Sequence, residues 1–411
     1  MSERRVVVTG AAGVCGLGND WAQVGEGLRR GRSGIAPWPP LDTVEGMRTR
    51  LGGAVDEPPL PADAPRKKLR GMGRVSRLAT WAVGEAIAAS GLEQSLLSGG
   101  RTGLAFGSTS GSPPDMVTFA LAYGAERRQK GITPMNYVKL MSHTCAANLA
   151  QYFEVRGTVL ATTSACTSGS QAIGSGYEQI RFGRQEVMVC GGAEELHEIE
   201  VGVFDMMFAT STRNEAPTET PRPFDVDRDG LVVAEGAGAL VLESLDHARE
   251  RGAPILGELL GYATNCDGAH LTAPDPAGME AAMCAGLADA GISADRVDYV
   301  CAHATATEAG DVAESHAMAR AYGGHTPVSS LKGHLGHSLG ACGALEAWMT
   351  LEMMREGWVA PTHNLERVDP ACAQLDYVMG GPREAALEIA VSNNSAFGGI
   401  NTSLVFGRFE S

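Results

Sequence analysis

The chain has 411 residues, a formal net charge of −15, and 44% hydrophobic against 20% charged residues. This length exceeds one ordinary hydrophobic core, so we expect two domains or one large layered unit. The acidic charge argues against nucleic acid or an anionic membrane as a partner, and the nine scattered cysteines lack zinc-finger or disulfide spacing. We expect no metal, no signal peptide and no membrane span, and a reducing cytoplasmic location.

Short apolar runs alternate with alanine-rich helical patterns along the chain, which is typical of α/β architecture. Predicted strands lie near 5–10, 102–107, 155–163, 186–190 and 238–243, and again near 255–262, 297–302, 327–330, 388–392 and 402–407. Predicted helices lie near 78–90, 166–181, 278–290, 311–322 and 340–355. The order of elements restarts after residue 251, so we predict two successive α/β halves, 1–254 and 255–411, that form a duplicated unit.

One stretch, Leu160–Gly176, carries a cysteine at a predicted junction between a strand and a helix. The partial positive charge of a helix N-terminus favours thiolate over thiol, so this position predicts a reactive Cys166. A small buried cysteine without a chemical role is the commoner interpretation for any single cysteine. The rest of the chain decides between the two.

Three further stretches carry reactive side chains or flexible turns. His303 follows directly on a predicted strand, and His337 lies in a glycine-rich turn before a helix. In the turn at 395–401, glycine allows backbone amides to face a ligand. Because α/β sheets bind ligands at the carboxyl ends of their strands, we predict that these groups share a site with Cys166.

Short motifs surround these residues. They are Ser164-Ala-Cys-Thr-Ser-Gly, His303-x-Thr-x-Thr, Lys332-x-x-x-Gly-His337, Gly340-Ala-x-Gly and Phe397-Gly-Gly-x-Asn. With them the chain resembles the β-ketoacyl-acyl carrier protein synthases, condensing enzymes of the thiolase superfamily, and most closely the elongating type I/II class. The resemblance extends from Arg5 to Phe406. It implies a thiolase-like, duplicated, five-layered α/β/α/β/α fold.

The resemblance also implies a decarboxylating Claisen condensation. Cys166 would take the acyl chain as a thioester, and neutral His303 and His337 would hydrogen-bond the thioester oxygen of a malonyl extender. The backbone amides of Cys166 and Phe397 would form the oxyanion hole. The product would be a 3-oxoacyl-acyl carrier protein.

Further residues receive supporting roles from the same resemblance. Thr305 and Thr307 would hold the phosphopantetheine amides, with Thr272 as a further candidate, and Phe397 would gate the acyl chain. The phosphopantetheine belongs to the acyl carrier protein substrate, so no cofactor of the enzyme itself is expected. Lys332 would pair with Glu314 and set the electrostatics around the histidines.

Two other functions stay open. A homologous chain-length-determining subunit would resemble this chain without catalysing, although such subunits lack the nucleophile that Cys166 supplies. A thiolase working without decarboxylation would use a second cysteine, for which Cys342 is the candidate by position. The additional His334 is expected to be a solvent-facing or supporting residue.

The chain departs from the family pattern near the acyl site. Ala304 replaces a glycine, Asn393-Asn-Ser-Ala-Phe replaces Asn-Ser-Phe-Gly-Phe, and Ser110 stands where a bulkier apolar residue is common. These differences predict an acyl pocket of altered shape, with Ser110 among its residues. Separately, the stretches Gly191-Gly-Ala-Glu-Glu, Gly340-Ala-Cys-Gly-Ala and Gly399-Ile-Asn-Thr-Ser resemble synthases of aryl-polyene pigment or polyketide clusters, so chain elongation for fatty acids and for polyenes or polyketides both stay open.

Basic residues form small islands in this acidic chain, and acyl carrier proteins are acidic. We predict that the islands dock the carrier through Arg66, Lys67, Lys68, Arg70, Arg127, Arg128 and Arg213. A solvated helix start is the alternative interpretation. Family members are dimers, so a homodimer or a heterodimer with a homologous subunit is expected.

Overall fold

A computed structural model of the protein describes residues 3–410. Its strands are β1 Val6–Val14, β2 Ala36–Pro37, β3 Leu51–Gly52, β4 Thr102–Gly107, β5 Val159–Thr162, β6 Val187–Glu194, β7 Gly236–Ser244, β8 Gly257–Cys266, β9 Tyr299–Cys301, β10 Pro327–Ser329, β11 Trp358–Val359, β12 Asp376–Tyr377, β13 Arg383–Glu384, β14 Ile389–Ala396 and β15 Ile400–Gly407. Its α-helices are α1 Trp21–Arg29, α2 Arg66–Leu69, α3 Arg74–Ser90, α4 Gln94–Ser98, α5 Pro113–Ala120, α6 Pro134–Leu140, α7 Thr144–Phe153, α8 Ser168–Arg181, α9 Glu198–Met206, α10 Leu245–Glu250, α11 Pro276–Ala290, α12 Glu308–Tyr322, α13 Lys332–Leu335 and α14 Cys342–Glu356. Short 3-10 turns lie at Pro39–Thr43, Pro217–Glu219, Ala294–Arg296 and Leu339–Ala341, and a single π turn at Leu121–Ala125.

The main sheet repeats one strand topology twice. In the first half β1 pairs antiparallel with β7, β7 antiparallel with β6, and β6, β4 and β5 run parallel. In the second half β8, β15, β14, β9 and β10 follow the same order and directions. The two half-sheets join where β1 meets β8, with Val6 opposite Leu259. The duplication predicted from element order is therefore visible in the strand topology.

The helices divide the molecule into five layers. Helices α8 and α14 lie between the half-sheets and share one apolar core with strands of both. Helices α3 and α7 cover the outer face of the first half-sheet, and α11 and α12 cover that of the second. This arrangement is the predicted α/β/α/β/α order, and it places the N-termini of α8 and α14 close together in the centre.

Small residues allow the two central helices to touch. A Cβ added to Gly169 of α8 would lie 2.9 Å from the carbonyl oxygen of Gly340 and 3.0 Å from the amide nitrogen of Ala344. A side chain at this position would therefore push the first turn of α14 away. The close packing of α8 against the start of α14 therefore requires glycine at position 169.

Most predicted elements lie within a few residues of the observed ones, but the strand predicted at 155–163 is shorter. It begins at Val159, because Glu154 ends α7 in the left-handed conformation (φ +59°) and the chain then loops through Gly157. The strand predicted at 186–190 continues to Glu194 as β6. Within residues 3–410 no helix has both the length and the apolar character needed to span a membrane.

Candidate active site

Cys166 lies in a tight turn between β5 and α8. Ala165 adopts a left-handed conformation (φ +49°), which is unusual for a residue with a side chain. The Ser168 hydroxyl holds this turn, because it donates to the Ala165 carbonyl at 2.7 Å and accepts from the Ser164 amide at 2.9 Å. Such strain is typical of functional sites, where the surroundings enforce one position of a side chain.

The Cys166 Sγ lies 3.0 Å from Nε2 of His337, and the side chain is buried. Burial raises the pKa of the Cys166 thiol to about 12, and the positive charge of Lys332 offsets only part of this effect. The predicted resting thiolate is therefore wrong. Since α8 begins only at Ser168, the cost of burying a charge outweighs the attraction of the helix N-terminus.

The structure brings both predicted histidines to Cys166. His303 follows β9, and the His337 amide donates to the Val232 carbonyl at 2.7 Å, which fixes the turn after α13. The two rings meet edge to face with centroids 5.2 Å apart. The Cys166 Sγ and the nearest imidazole nitrogens lie within 4.8 Å of one another, so one substrate atom can reach all three.

The surroundings keep both imidazoles neutral. Burial lowers the pKa of His303 and of His337 well below the ordinary value, and the nearby Lys332 ammonium lowers both further. The Asn394 amide donates toward Nδ1 of His303 at 3.4 Å, which places the His303 proton on Nε2. Neutral imidazoles that donate hydrogen bonds are what the resemblance predicts for these positions.

The predicted Lys332–Glu314 pair is wrong, because Lys332 pairs with Glu346 of α14. Burial disfavours the Lys332 ammonium, but attraction to Glu346 outweighs this and raises the lysine pKa above its ordinary value. Glu314 instead accepts the backbone amides of His303 and Ala304, each at 2.7 Å. Glu314 thus fixes the backbone that carries His303.

Two residues that sequence reasoning missed connect this network. The Asn394 amide also donates to Oε2 of Glu346 at 2.7 Å, so it links that carboxylate to His303. A signal was present for Glu346, because it is a lone charged residue in the apolar run Ala344–Met349. Buried charges need partners, and Lys332 is the nearby cation.

The three predicted threonines line a cavity of about 190 Å³ that opens onto Cys166, His303 and His337. Thr305 is buried, and its hydroxyl lies 3.0 Å from that of Thr307. Thr272 is exposed at the edge of the cavity. Asp311 accepts the amides of Thr305 and Ala306, which holds the turn (Ala306 φ +67°) in place.

A second cavity, of about 210 Å³, meets the first at Cys166 and Phe397. Its wall includes Ser110, as predicted, together with apolar side chains of α5 and α9. Phe397 lines both cavities and packs on Phe204 with ring centroids 5.5 Å apart. Its position between the cavities is what a gate requires, and its backbone amide as an oxyanion donor stays a prediction.

Several of the predicted docking cations already have acidic partners. Lys68 pairs with Glu154 at 2.8 Å, Arg128 with Glu126 at 2.5 Å, and Arg213 lies 3.6 Å from Asp229. Arg66, Lys67, Arg70 and Arg127 are exposed and form no ion pair within residues 3–410. These four are the stronger candidates for contact with a carrier.

Two further predictions concern residues near the site. His334 is fully buried, with ring nitrogens 2.9 Å from the Arg32 carbonyl and 3.1 Å from that of Pro361, so it supports the fold and does not face solvent. Cys342 Sγ lies 3.3 Å from the Cys166 carbonyl oxygen. Burial raises the pKa of Cys342 well above its ordinary value, which makes it a poor base. The expected absence of a metal stays a prediction.

Comparison with known proteins gives the family. The sequence model of the β-ketoacyl synthase N-terminal domain matches residues 3–248, and that of the C-terminal domain matches residues 256–366. The 3-oxoacyl-[acyl-carrier-protein] synthase 2 of Synechocystis is 37% identical, with 100% of this chain and 99% of that protein covered.

Comparison with solved structures gives the same family as the sequence comparisons. A β-ketoacyl synthase of Burkholderia phymatum is 49% identical, with 99% of this chain and 100% of that one covered and a TM-score of 0.97. A type II polyketide ketosynthase, solved in complex with its acyl-carrier protein, is 29% identical over 100% of both chains with a TM-score of 0.90. These relatives confirm the predicted fold class, and the chain belongs to the β-ketoacyl synthase family.

Proposed function

We propose that this protein extends an acyl chain held on Cys166 by decarboxylating condensation with malonyl-acyl carrier protein, and so acts as a 3-oxoacyl-acyl carrier protein synthase. The observation that carries the proposal is the position of Cys166 Sγ, 3.0 Å from His337 Nε2 and beside His303, where two cavities meet. The curated relative from Synechocystis carries the name of this activity.

In the first half-reaction Cys166 attacks the thioester carbon of an acyl carrier. Because the thiol pKa is raised to about 12, its proton must leave as the sulfur attacks, and it passes to the sulfur of the departing carrier, while Nε2–H of His337 donates to the Cys166 sulfur at contact distance. The carrier thiolate leaves and takes up that proton. The acyl chain then occupies the cavity lined by Ser110 and Phe204.

In the second half-reaction the malonyl thioester enters the cavity lined by Thr305 and Thr307. Neutral His303 and His337 donate hydrogen bonds to its thioester oxygen, which stabilises the enolate as carbon dioxide leaves. The enolate carbon attacks the acyl-Cys166 carbonyl and the carbon–sulfur bond breaks. Cys166 departs as a thiolate, which takes up a proton from solvent. Protonated imidazoles are not required, in agreement with the lowered histidine pKa values.

The intact set of reactive side chains disfavours the other two functions. A chain-length-determining subunit needs no Cys166 within contact of His337. A thiolase would need Cys342 as a base, but burial keeps that thiol protonated.

The test uses purified protein, acyl-carrier protein loaded with an acyl chain, and malonyl-carrier protein. We expect the intact mass of the protein to rise by one acyl group, and a 3-oxoacyl product to form with release of carbon dioxide. Absence of any acyl adduct would contradict the proposal. Condensation of two acetyl thioesters without malonyl carrier would instead indicate a thiolase.

We further propose that the acyl carrier protein docks through Arg66, Lys67, Arg70 and Arg127, because these cations are exposed and acidic carriers require positive partners. Reversing the charge of Arg66 and Lys67 is expected to raise the KM for carrier-bound substrate about tenfold, with kcat little changed. Reversal of the already paired Arg128 is the control and should have less effect. An unchanged KM in the double variant would refute this docking site.

The exposed edge of the main sheet supports a dimer. Strand β5 ends the sheet and pairs only with β4 within the described chain, and Val159 on it is 43% exposed. Exposed edge strands readily pair with another chain. We propose a homodimer, or a heterodimer with a homologous subunit, in the cytoplasm. Sedimentation of the purified chain distinguishes them, because a chain that stays monomeric alone needs the homologous partner.

A further inference from the structure

A carboxyl group lies in the wall of the cavity that we assign to the acyl chain. Glu200, on α9, is only 9% exposed, and it shares this wall with apolar residues such as Met116, Val203 and Leu339. A cavity that binds only alkyl chains has no use for a carboxyl group, since such burial is costly.

Only one of the two oxygens of the Glu200 carboxyl has a hydrogen-bond partner within residues 3–410. Its Oε1 accepts a hydrogen bond from the Ser110 hydroxyl at 3.2 Å, whereas Oε2 is buried and has no hydrogen-bond partner among residues 3–410. Buried polar atoms in folded proteins nearly always have partners, so an orphan at a binding cavity points to a ligand atom.

The electrostatic surroundings make this carboxyl a donor. Burial raises the pKa of Glu200 well above its ordinary value, and the nearby Glu194, Glu195 and Glu235 raise it further. No lysine or arginine pairs with Glu200 in the described part of the chain. The raised pKa favours the protonated carboxyl, which has one O–H to donate.

We propose that Glu200 and Ser110 select acyl chains that carry an oxygen atom, as a hydroxyl or keto group, in the segment that occupies this cavity. The Oε2–H of Glu200 donates to that oxygen, while Ser110 orients the carboxyl through Oε1. A plain alkyl chain would leave the Oε2–H without a partner, and a site built to hydrogen-bond a substrate discriminates against analogues that lack the group. This inference rests on the proposed function of Cys166 as the acyl carrier.

The experiment measures the rate at which Cys166 is acylated, by intact mass, from carrier-bound chains of one length. The set comprises the saturated chain and chains with one hydroxyl or one keto group at successive carbons. We expect at least one oxygenated chain to acylate the wild-type protein about tenfold faster than the saturated chain, the size of one good hydrogen bond.

Variants of Glu200 test the assignment to this residue. Glu200→Leu should abolish the preference by slowing the oxygenated chain and accelerating the saturated one. Glu200→Gln should keep most of the preference for the oxygenated chain, because an amide is also a neutral hydrogen-bond donor of similar shape. Glu198→Gln, on the same helix but outside this cavity, is the matched control and should behave as wild type.

The outcomes separate the two levels of inference. If no chain acylates Cys166, the proposed function fails and this inference with it. If all chains acylate the wild-type protein at equal rates, only the inference on Glu200 is overturned, and this result needs no variant to fold. Loss of the preference in Glu200→Gln as well as in Glu200→Leu would overturn the neutral-donor role.

Discussion

The two halves of the molecule have the same strand order but carry different chemistry at matching positions. After the last parallel strand common to both halves, β5 leads to Cys166 and β10 leads to Lys332 and His337. After the preceding strand, β4 leads to the cavity residue Ser110 and β9 leads to His303. The first half supplies the nucleophile and most of the wall of the acyl cavity, and the second half supplies the hydrogen-bond donors and the buried cation.

This difference shows how a duplicated scaffold divides a reaction. The carboxyl ends of the parallel strands in both half-sheets face the same central region, so each half contributes groups that the other lacks. Acyl transfer to Cys166 should therefore depend mainly on first-half residues and His337. Decarboxylation should require the hydrogen-bond donors of the second half and not the Cys166 nucleophile.

The largest expected effect separates the two half-reactions at the nucleophile. Cys166→Gln should lower condensation by about 10⁴-fold or more, because no acyl chain can be held. Malonyl decarboxylation should continue and increase, because the second-half groups are intact. Product analysis and carbon dioxide release measure the two activities, and unaltered condensation in this variant would refute the nucleophile assignment.

The buried ion pair belongs wholly to the second half. Glu346→Gln should lower the free energy of unfolding by about 3–5 kcal/mol, because Lys332 would stay buried without its counter-charge. Glu314→Gln is the comparison variant, and it should cost less because an amide oxygen can still accept a backbone hydrogen bond. Chemical denaturation measures both, and the reverse order would restore Glu314 as the lysine partner.

Removal of one second-half donor should leave acyl transfer intact. His303→Ala should reduce decarboxylation and condensation by about 10²–10³-fold, the typical loss for one donor to a developing oxyanion. Acylation of Cys166 should persist, because His337 is its contact. His316→Ala, on the surface of α12, serves as the control. Equal loss of acylation in His303→Ala would break the division between the halves.

The smallest expected effect concerns pH and His334. Burial lowers the pKa of His334 to about 4, whereas an unfolded histidine binds a proton near pH 6.5. The unfolded state therefore binds more protons between these values, and the contribution of His334 to stability falls by about 3 kcal/mol as pH drops from about 6.5 to about 4. Buried carboxyls with raised pKa values act in the opposite direction, so the wild type must be compared with His334→Gln. The difference between their unfolding free energies should depend on pH, and a constant difference would contradict the buried neutral histidine.

Much of the fold was predictable, because strong apolar runs mark β4, β7 and β15 and because long alanine-rich patterns mark α3 and α11. The comparisons confirm the predicted family, fold class and acyltransferase activity. The strand at 155–163 was predicted too long because an apolar run does not reveal that α7 ends at the left-handed Glu154 and that the chain then loops through Gly157 before β5 begins.

The failures at the site have a common physical cause. Sequence indicates which residue types are present, but not how deeply they are buried or which carboxylate faces a given lysine. Glu314 and Glu346 are equally plausible partners of Lys332 in sequence, and only the packing of α14 decides between them. The expectation of a lowered pKa for the Cys166 thiol was wrong for the same reason. Burial raises this pKa, and the depth of burial depends on how the whole molecule packs.

The contact between Gly169 and the first turn of α14 has a consequence for how this enzyme can change. Gly169 lies three residues from the nucleophile, and the helix it touches follows the turn that carries His337. One added methyl group would move the two central helices apart and lengthen the sulfur–nitrogen contact without altering any reacting group. The alignment of Cys166 with His337 thus requires that residue 169 have no side chain. Substitutions at this position would be selected against because they lower activity, even where the protein still folds.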